Sequence, residues 1–135
     1  MENNPDVIFR LDRNGVCLYV NQAIETLTGR AAEKYLGKTL EAQRLPASLA
    51  QRIRSGLDAA CRQGEEASFE AEVDAAGKHL AFQMRVCPEF GPSGRPKSAL
   101  CVARDITEIN RLRRESEEAR RRAERANRAK GEFLA

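Results

Sequence analysis

The fold of this chain is decided by residues 7–21, V-I-F-R-L-D-R-N-G-V-C-L-Y-V-N. Apolar and polar side chains alternate over residues 7–12, which predicts a half-buried strand, and residues 16–20 predict a second strand. Asn14-Gly15 stands between the two runs, and because both residue types tolerate positive φ, the pair predicts a hairpin turn. Asn21 follows the second strand, where its side-chain oxygen is expected to cap the next helix.

The rest of the domain predicts helices followed by three more strands. Two short helical segments are expected over residues 22–28 and 31–35. A longer and more clearly bounded helix is expected over residues 47–63, since Pro46 precedes it and Gly64 ends it. Strands with period-2 alternation are then predicted over residues 67–74, 78–89 and 98–106. Five strands with helices gathered between the second and third indicate an α+β domain, with one antiparallel sheet covered by helices on one face.

This ordered set of motifs resembles a PAS domain. The residues that carry the resemblance are P-D-V-I-F-R-L-D-R-N-G-V-C-L-Y-V-N at 5–21, A-I-E-T-L-T-G at 23–29, L-G-K-T-L at 36–40 and A-L-C-V-A-R-D-I-T-E at 99–108. In the family, a D-x-x-G hairpin, an Asn after the second strand and a terminal D-I-T recur at these places. The resemblance implies a PAS fold over residues 1–106 that senses a signal, followed by a signalling helix over residues 107–135.

The end of the chain, R-A-N-R-A-K-G-E-F-L-A, is similar to the segment that precedes the phosphorylated histidine in sensor histidine kinases. The resemblance implies that this chain is the input module of such a kinase, possibly a hybrid one, and that its partners are a second copy, the downstream kinase core and a small-molecule ligand. A different output, such as a diguanylate cyclase, or a PAS domain that binds only proteins, is the alternative. The chain itself has no nucleophile–base pair, phosphate loop or metal cluster and is not expected to be an enzyme.

The long helix carries a weak apolar seam. Steps of alternately three and four residues form one a/d heptad stripe that comprises Ile109, Leu112, Ser116, Ala119, Ala123, Ala126, Lys130 and Phe133. This pattern predicts a parallel coiled-coil dimer that is only marginally stable, because Ala buries far less apolar surface than Leu. The alternative is a single solvated helix held by Glu–Arg pairs such as Glu117–Arg121 and Glu118–Arg122.

The junction between the last strand and this helix comprises Asp105, Ile106 and Thr107. Asp105 and Glu108 have the spacing of a capping box, so Asp105 or Thr107 is expected to satisfy backbone N–H groups of the first helical turn. These residues could serve only as caps. The resemblance to PAS proteins implies in addition that the motif couples the sheet to the helix.

A ligand cavity is expected between the helices and the sheet. Its candidate lining residues are Ile24, Leu27, Leu36, Leu40, Ile53, Phe69, Phe82, Met84, Leu100 and Val102, although the same residues could form an ordinary core. The N-C-R-F-L-Q run of the flavin-binding relatives is missing, and His79 alternates with Leu80 and is expected to face away from the cavity, so nothing indicates flavin or haem. The cofactor remains unknown.

The opposite face of the sheet is also expected to be partly apolar. Its predicted members are Ile8, Cys17, Tyr19, Cys101 and Ala103. An apolar outer face needs a cover, which would be a second subunit or a helix preceding Met1.

The four cysteines are scattered, without a C-x-x-C pair, and His79 is the single histidine, so no metal site is expected. Reduced thiols in a cytoplasmic protein are the simplest interpretation, and a redox-sensing cysteine is the alternative. The polar start, M-E-N-N-P-D, is unlike a signal peptide, and no apolar run is long enough to span a membrane, so any membrane anchor would lie elsewhere in the parent protein.

The basic excess lies on the helix. Residues 107–135 hold nine Lys and Arg against six Asp and Glu, whereas the rest of the chain holds fourteen of each. A DNA-binding basic region would precede a leucine-rich zipper, but here the weak seam is itself interleaved with Glu. Nucleic-acid binding by this chain is therefore not expected.

Overall fold

The computed structural model describes the backbone of residues 6–75 and 77–134, and the side chains of these residues except 75 and 132–134. The chain divides into two units, Met1–Asp105 and Ile106–Ala135. The first unit holds all five strands and the short helices, and the second holds one long helix.

The five strands form one antiparallel sheet, as predicted. The strands are β1 (Val7–Asp12), β2 (Cys17–Val20), β3 (Ala67–Ala75), β4 (Lys78–Phe90) and β5 (Pro96–Asp105). Their spatial order is β2-β1-β5-β4-β3, so the last strand lies in the centre between the N-terminal hairpin and the β3–β4 hairpin. Val7 of β1 is opposite Ala103 of β5, and this register places residues from both ends of the domain side by side.

The β1–β2 turn forms at Asn14-Gly15 and is fixed by Asp12. The Asp12 carboxylate accepts hydrogen bonds from the backbone N–H groups of Asn14 and Val16, both at 2.9 Å. Gly15 has φ +85°, a conformation that glycine adopts without the steric cost other residues meet. Arg54 closes the turn from the helical side, since its guanidinium donates to the Asn14 carbonyl at 2.9 Å and pairs with Glu41 at 2.7 Å.

Asn21 does not cap a helix as expected. Its side-chain oxygen accepts a hydrogen bond from the Ile8 N–H at 3.1 Å, and its side-chain NH₂ donates to the Asp6 carbonyl at 2.9 Å. The following helix has Gln22 at its N-cap, without a side-chain capping bond. Asn21 therefore fastens the end of β2 to the start of β1, which continues the strand pairing beyond the ladder.

The helical segments lie between β2 and β3. They are α1 (Ala23–Thr28), single 3₁₀ turns at Ala32–Lys34 and Leu40–Gln43, and α2 (Ala47–Asp58), which continues as a π-helical turn over Ala59–Gln63. α2 packs closely against the sheet at Gly56, where a Cβ would lie 3.1 Å from Val86. Residues 36–40 reach the free edge of β2, since the Cys17 N–H donates to the Lys38 carbonyl at 2.9 Å.

The side chains of β5 that face the core are the opposite set from the predicted one. Cys101 and Ala103 are buried in the core, whereas Leu100 and Val102 are only half-buried, because the pairing with β1 aligns them with Arg10 and Ile8 on the outer face. On β2, a bulge opposite Arg10 and Leu11 turns Cys17 inward and leaves Tyr19 outside. The predicted outer-face positions of Cys17, Cys101 and Ala103 are therefore wrong, and those of Ile8 and Tyr19 agree with the structure.

The second unit is α3 (Thr107–Leu134). Among the described side chains of α3, ion pairs join Arg111 to Glu108 and Glu115, and Arg120 to Glu124. The Glu117–Arg121 and Glu118–Arg122 ion pairs named from the sequence are not among them, although Arg122 Nε donates to the Glu118 carbonyl at 3.4 Å. All of these groups are exposed, so each pair stabilises the helix only slightly. Within the described residues, α3 and the other helices are too short or too polar to cross a bilayer.

We expect Gly15→Ala to lower the free energy of unfolding by more than the roughly 1–2 kcal/mol of left-handed backbone strain. An added Cβ would meet the Arg54 guanidinium at 2.6 Å, so Arg54 would have to leave Asn14 and Glu41. Gly94→Ala is the matched control, because Gly94 has φ +81° with nothing within 4 Å of the new Cβ. Urea unfolding of both variants measures the difference, and equal losses would contradict this role for the Arg54 contact.

Candidate ligand cavity

A cavity of about 500 Å³ lies between the inner face of the sheet and the helical segments. Its walls are mainly apolar: Val7, Phe9, Cys17, Val20, Ile24, Leu27, Leu45, Pro46, Leu49, Ile53, Val73, Leu80, Phe82, Met84 and Ala103. The volume falls in the range of roughly 300–1,000 Å³ that is usual for small-molecule sites. An apolar space of this size can bind an organic molecule through burial of apolar surface alone.

On the sheet side of the cavity, β5 contributes a small side chain, Ala103. Ala103 lies between Val7 of β1 and Met84 of β4, and all three line the space. A larger residue at position 103 would project from the centre of the sheet towards the helices. The small size of Ala103 therefore leaves space on the sheet side of the cavity, and its inward orientation is the reverse of the predicted one.

Polar groups are gathered where α1, the two 3₁₀ turns and the end of β3 meet the cavity. Tyr35 is buried, and its hydroxyl donates to Thr28 Oγ1 at 2.9 Å, which in turn donates to the Ile24 carbonyl at 2.7 Å. The Arg30 guanidinium lies over the Tyr35 ring, 5.6 Å from its centroid. Gln43 is buried and donates to the Lys38 carbonyl at 3.2 Å.

Besides the half-buried Arg30, two charged residues lie at the rim of the cavity. Arg44 is exposed and has φ +56°, a left-handed conformation that ends the second 3₁₀ turn. Asp74 at the end of β3 pairs with His79 Nδ1 at 2.9 Å, and its side chain is 85% exposed. The cavity thus has apolar walls and a polar rim.

Five of the ten candidate lining residues line the cavity, namely Ile24, Leu27, Ile53, Phe82 and Met84. Leu40 is fully buried in the core outside this lining, and Phe69 packs under the Arg52 guanidinium, which lies 4.5 Å from the ring centroid. Leu36 is wrongly placed by the prediction, since it is exposed on the turn that follows Tyr35. The prediction is also wrong for Leu100 and Val102, because both lie on the outer face of the sheet.

The polar rim was missed from the sequence. Arg30 and Arg44 look like ordinary surface residues there, because nothing in a single sequence marks an arginine that will adopt positive φ. Val20 and Ala103 were missed because the bulge and the strand register were not foreseen. Val7 and Phe9 alternate with Ile8 along β1, and this period-2 pattern could have identified them as inward-facing residues that line the cavity.

The cysteine thiols of the domain are protonated at neutral pH. Burial raises the pKa of Cys17, which lines the cavity, and of Cys61 and Cys101. Partial burial and the neighbouring Glu66 carboxylate raise the pKa of Cys87 as well. Since the thiolate is the reactive form, Cys17 contributes a small apolar wall rather than a nucleophile.

His79 faces away from the cavity lining, as expected. Its ring nitrogens contact Asp74 at 2.9 Å and Glu72 at 2.7 Å on the exposed side of the β3–β4 hairpin. Hydrogen bonds to Asp74 and Glu72 raise the pKa of His79, because they favour the charged imidazolium.

The residues predicted to transmit a signal follow the cavity along the chain. Asp105 is the last residue of β5 and Thr107 the first of α3, with Ile106 between them. On α3, Ile109 is 44% and Leu112 is 52% exposed, and Ser116, Ala119, Ala123, Ala126 and Lys130 are exposed as well. The Phe133 side chain lies outside the described residues.

Comparisons with known proteins agree on the architecture. A family model described as the PAS fold matches residues 1–111. Among solved structures, the Vibrio cholerae VqmA dimer is 22% identical with a TM-score of 0.70 over 78% of this chain and 48% of that one, so this chain spans about half the length of VqmA. The PAS domain of Bordetella pertussis BvgS is 23% identical, with a TM-score of 0.68 over 87% of this chain and 88% of that one.

A third structure contains a ligand. The PAS domain of the quorum-sensing receptor RpfR from Cronobacter turicensis, in complex with BDSF, is 23% identical with a TM-score of 0.62, over 79% of this chain and 98% of that one. No protein of curated function matches the sequence. The match of the family model over most of the chain, with the sheet order and helices described above, shows that this chain belongs to the PAS family of signal-sensing domains.

Proposed function

We propose that this PAS domain binds a small, largely apolar molecule in the cavity and relays its presence through α3 to an output domain. The observation that carries the proposal is the apolar cavity of about 500 Å³ under the helices. An ordinary core would be filled to the density of an organic crystal, whereas this apolar space is large enough for a small organic molecule to enter and be buried.

Structural neighbours that bind small molecules support the proposal of a ligand. RpfR is described as a quorum-sensing receptor in complex with BDSF, and VqmA has been solved bound to DPO. Both share the fold of this domain at a little over one fifth identity. We propose by analogy of fold that this domain also takes a small organic signal.

The relay would use the exposed apolar stripe of α3. Ile109 and Leu112 are the two large apolar residues of the stripe whose exposure the structure describes, and both are about half exposed on a helix whose other faces are charged. A second copy of α3 packed along this stripe would remove both side chains from water. The small residues Ser116, Ala119, Ala123 and Ala126 would make the rest of the dimer seam weak, so that its register could change at small cost.

We propose a sensor histidine kinase as the parent protein. The support is the similarity of residues 125–135 to the segment that precedes the phosphorylated histidine in such kinases. A diguanylate cyclase is the alternative output, and the residues that follow position 135 in the parent protein would distinguish the two. The proposed location is the cytoplasm.

Filling the cavity should prevent binding. We expect Ala103→Leu to reduce binding of the apolar fluorophore aminoanthracene at least about tenfold, since an overfilled apolar site costs roughly 1–3 kcal/mol. The matched control is Val102→Leu on the outer face of the same strand. Fluorescence titration measures both, with circular dichroism to check folding, and unchanged binding in a folded Ala103→Leu variant would contradict the cavity as the binding site.

The chain should dimerise through α3. We expect the double change Ile109→Ala and Leu112→Ala to weaken self-association at least about tenfold, because each buried Ile or Leu side chain contributes roughly 1.5–3 kcal/mol. Arg121→Ala lies on the opposite side of the heptad and serves as the control. Sedimentation equilibrium gives the dissociation constants, and a dimer that the double change leaves intact would place the interface elsewhere.

The junction should matter for regulation more than for stability. In the parent protein, we expect Asp105→Ala to abolish the ligand-dependent change in output while it costs the domain about 1 kcal/mol, the usual loss when a helix cap is removed. Arg104→Ala, an exposed neighbour on the same strand, is the control. Autophosphorylation measured with and without ligand tests this, and normal regulation in the Asp105 variant would show that the residue is only structural.

A further inference from the structure

We propose that the ligand is a free anionic amphiphile, an aliphatic chain with a carboxylate or similar head, whose head group binds Arg44 and Arg30 at the rim of the cavity. This inference rests on the proposed function and adds the chemical class of the ligand. Both arginines belong to the cavity lining, together with a largely aliphatic wall.

The backbone of Arg44 is the first observation. Among the described residues, Arg44 is the one non-glycine residue with positive φ, at φ +56° and ψ +32°. Glycine would end the 3₁₀ turn Leu40–Gln43 without steric cost, yet an arginine stands there, and its side chain is exposed at the rim. A residue held in an unfavourable conformation beside a cavity is an indication of a functional role.

The second observation is the missing counter-charge. Three arginines elsewhere in the domain, Arg10, Arg54 and Arg85, form ion pairs at 2.7 Å with Glu89, Glu41 and Glu66 respectively. Within the described part of the chain, neither Arg30 nor Arg44 has a carboxylate within salt-bridge distance. Arg30 is instead held over the Tyr35 ring, which restrains the side chain and leaves its hydrogen-bond donors for another acceptor.

The lining carboxylate cannot substitute for a ligand. Asp74 already pairs with His79, and its side chain is 85% exposed. Among the described residues, the rim therefore carries two arginines that lack a carboxylate partner and one carboxylate that already contacts the His79 ring. A ligand anion at this rim would gain charge-assisted hydrogen bonds without displacing an existing ion pair.

The interior fixes the orientation of the ligand. Val7, Leu49, Leu80 and Phe82 line the cavity and are themselves buried. A charged group there would lose its hydration, whereas an aliphatic chain would gain from burial. A ligand with an anionic head group at the polar rim and an aliphatic chain against the apolar walls matches the chemistry of both regions of the cavity.

The test compares three ligands of equal chain length: decanoate, decanol and decylamine, each below its micelle concentration. Isothermal titration calorimetry of the wild-type chain should give the tightest binding for decanoate, at least about tenfold tighter than decanol, the size expected for a hydrogen bond to a charged group. Decylamine should bind most weakly, because its cation meets two arginines.

Variants separate a binding role from a structural one. Arg44→Gly and Arg30→Gln should each reduce the preference for decanoate over decanol, while decanol binding is unchanged. Arg44→Gly should not lower the melting temperature, because glycine tolerates the left-handed conformation. The control is Arg62→Gln, an exposed arginine outside the cavity lining, which should keep the full preference.

The outcomes are distinguishable. Equal binding of decanoate and decanol would overturn the anionic head while the proposed ligand cavity stands. Absence of binding by all three, and by aminoanthracene, would overturn the cavity itself. Co-sedimentation with anionic phospholipid vesicles that Arg44→Gln abolishes would overturn the free ligand in favour of a lipid surface, and failure to sediment would support it.

Discussion

The antiparallel pairing of β1 with β5 is the constraint on which the rest of the domain depends. It joins residues 86 to 96 positions apart, from Asp12 with Ser98 to Val7 with Ala103, and makes the last strand the centre of the sheet. On the outer face the pairing is reinforced by Arg10, which reaches across β5 to Glu89 at 2.7 Å, and Glu89 also accepts a hydrogen bond from Ser98. Once β1 and β5 are in register, the inward or outward direction of each side chain in these two strands is set.

Prediction from the sequence succeeded where a local pattern was unambiguous. The Asn14-Gly15 turn, the five strands and the helices between β2 and β3 follow from period-2 alternation and from Gly and Pro at element ends. It failed where two faces of a strand were equally apolar. Leu100 and Val102 compete with Cys101 and Ala103 for the inner face of β5, and only pairing with β1, a contact distant in sequence, decides between them.

Prediction of the candidate site was weaker for a related reason. Helix-borne residues such as Ile24, Leu27 and Ile53 were found because helical spacing identifies a buried face. Asn21 was misjudged because a polar residue before a helix can bond either to that helix or to a neighbouring strand, and the local sequence is the same in both cases. The rim arginines depend on the left-handed turn at Arg44 and on stacking over Tyr35, which are tertiary features.

The position of Ala103 has a consequence for how ligand preference could diversify among PAS domains that share this architecture. Its methyl group lines the sheet side of the cavity, and only Arg104 and Asp105 separate it from the end of β5. In the proposed function, the residue that sets how large a ligand fits therefore lies on the same strand that leads into the relay helix. After gene duplication, one substitution at this position could give a preference for a smaller signal molecule while α3 and the output domain stay the same. Ligand preference and the connection to the output could therefore evolve separately, although both depend on β5.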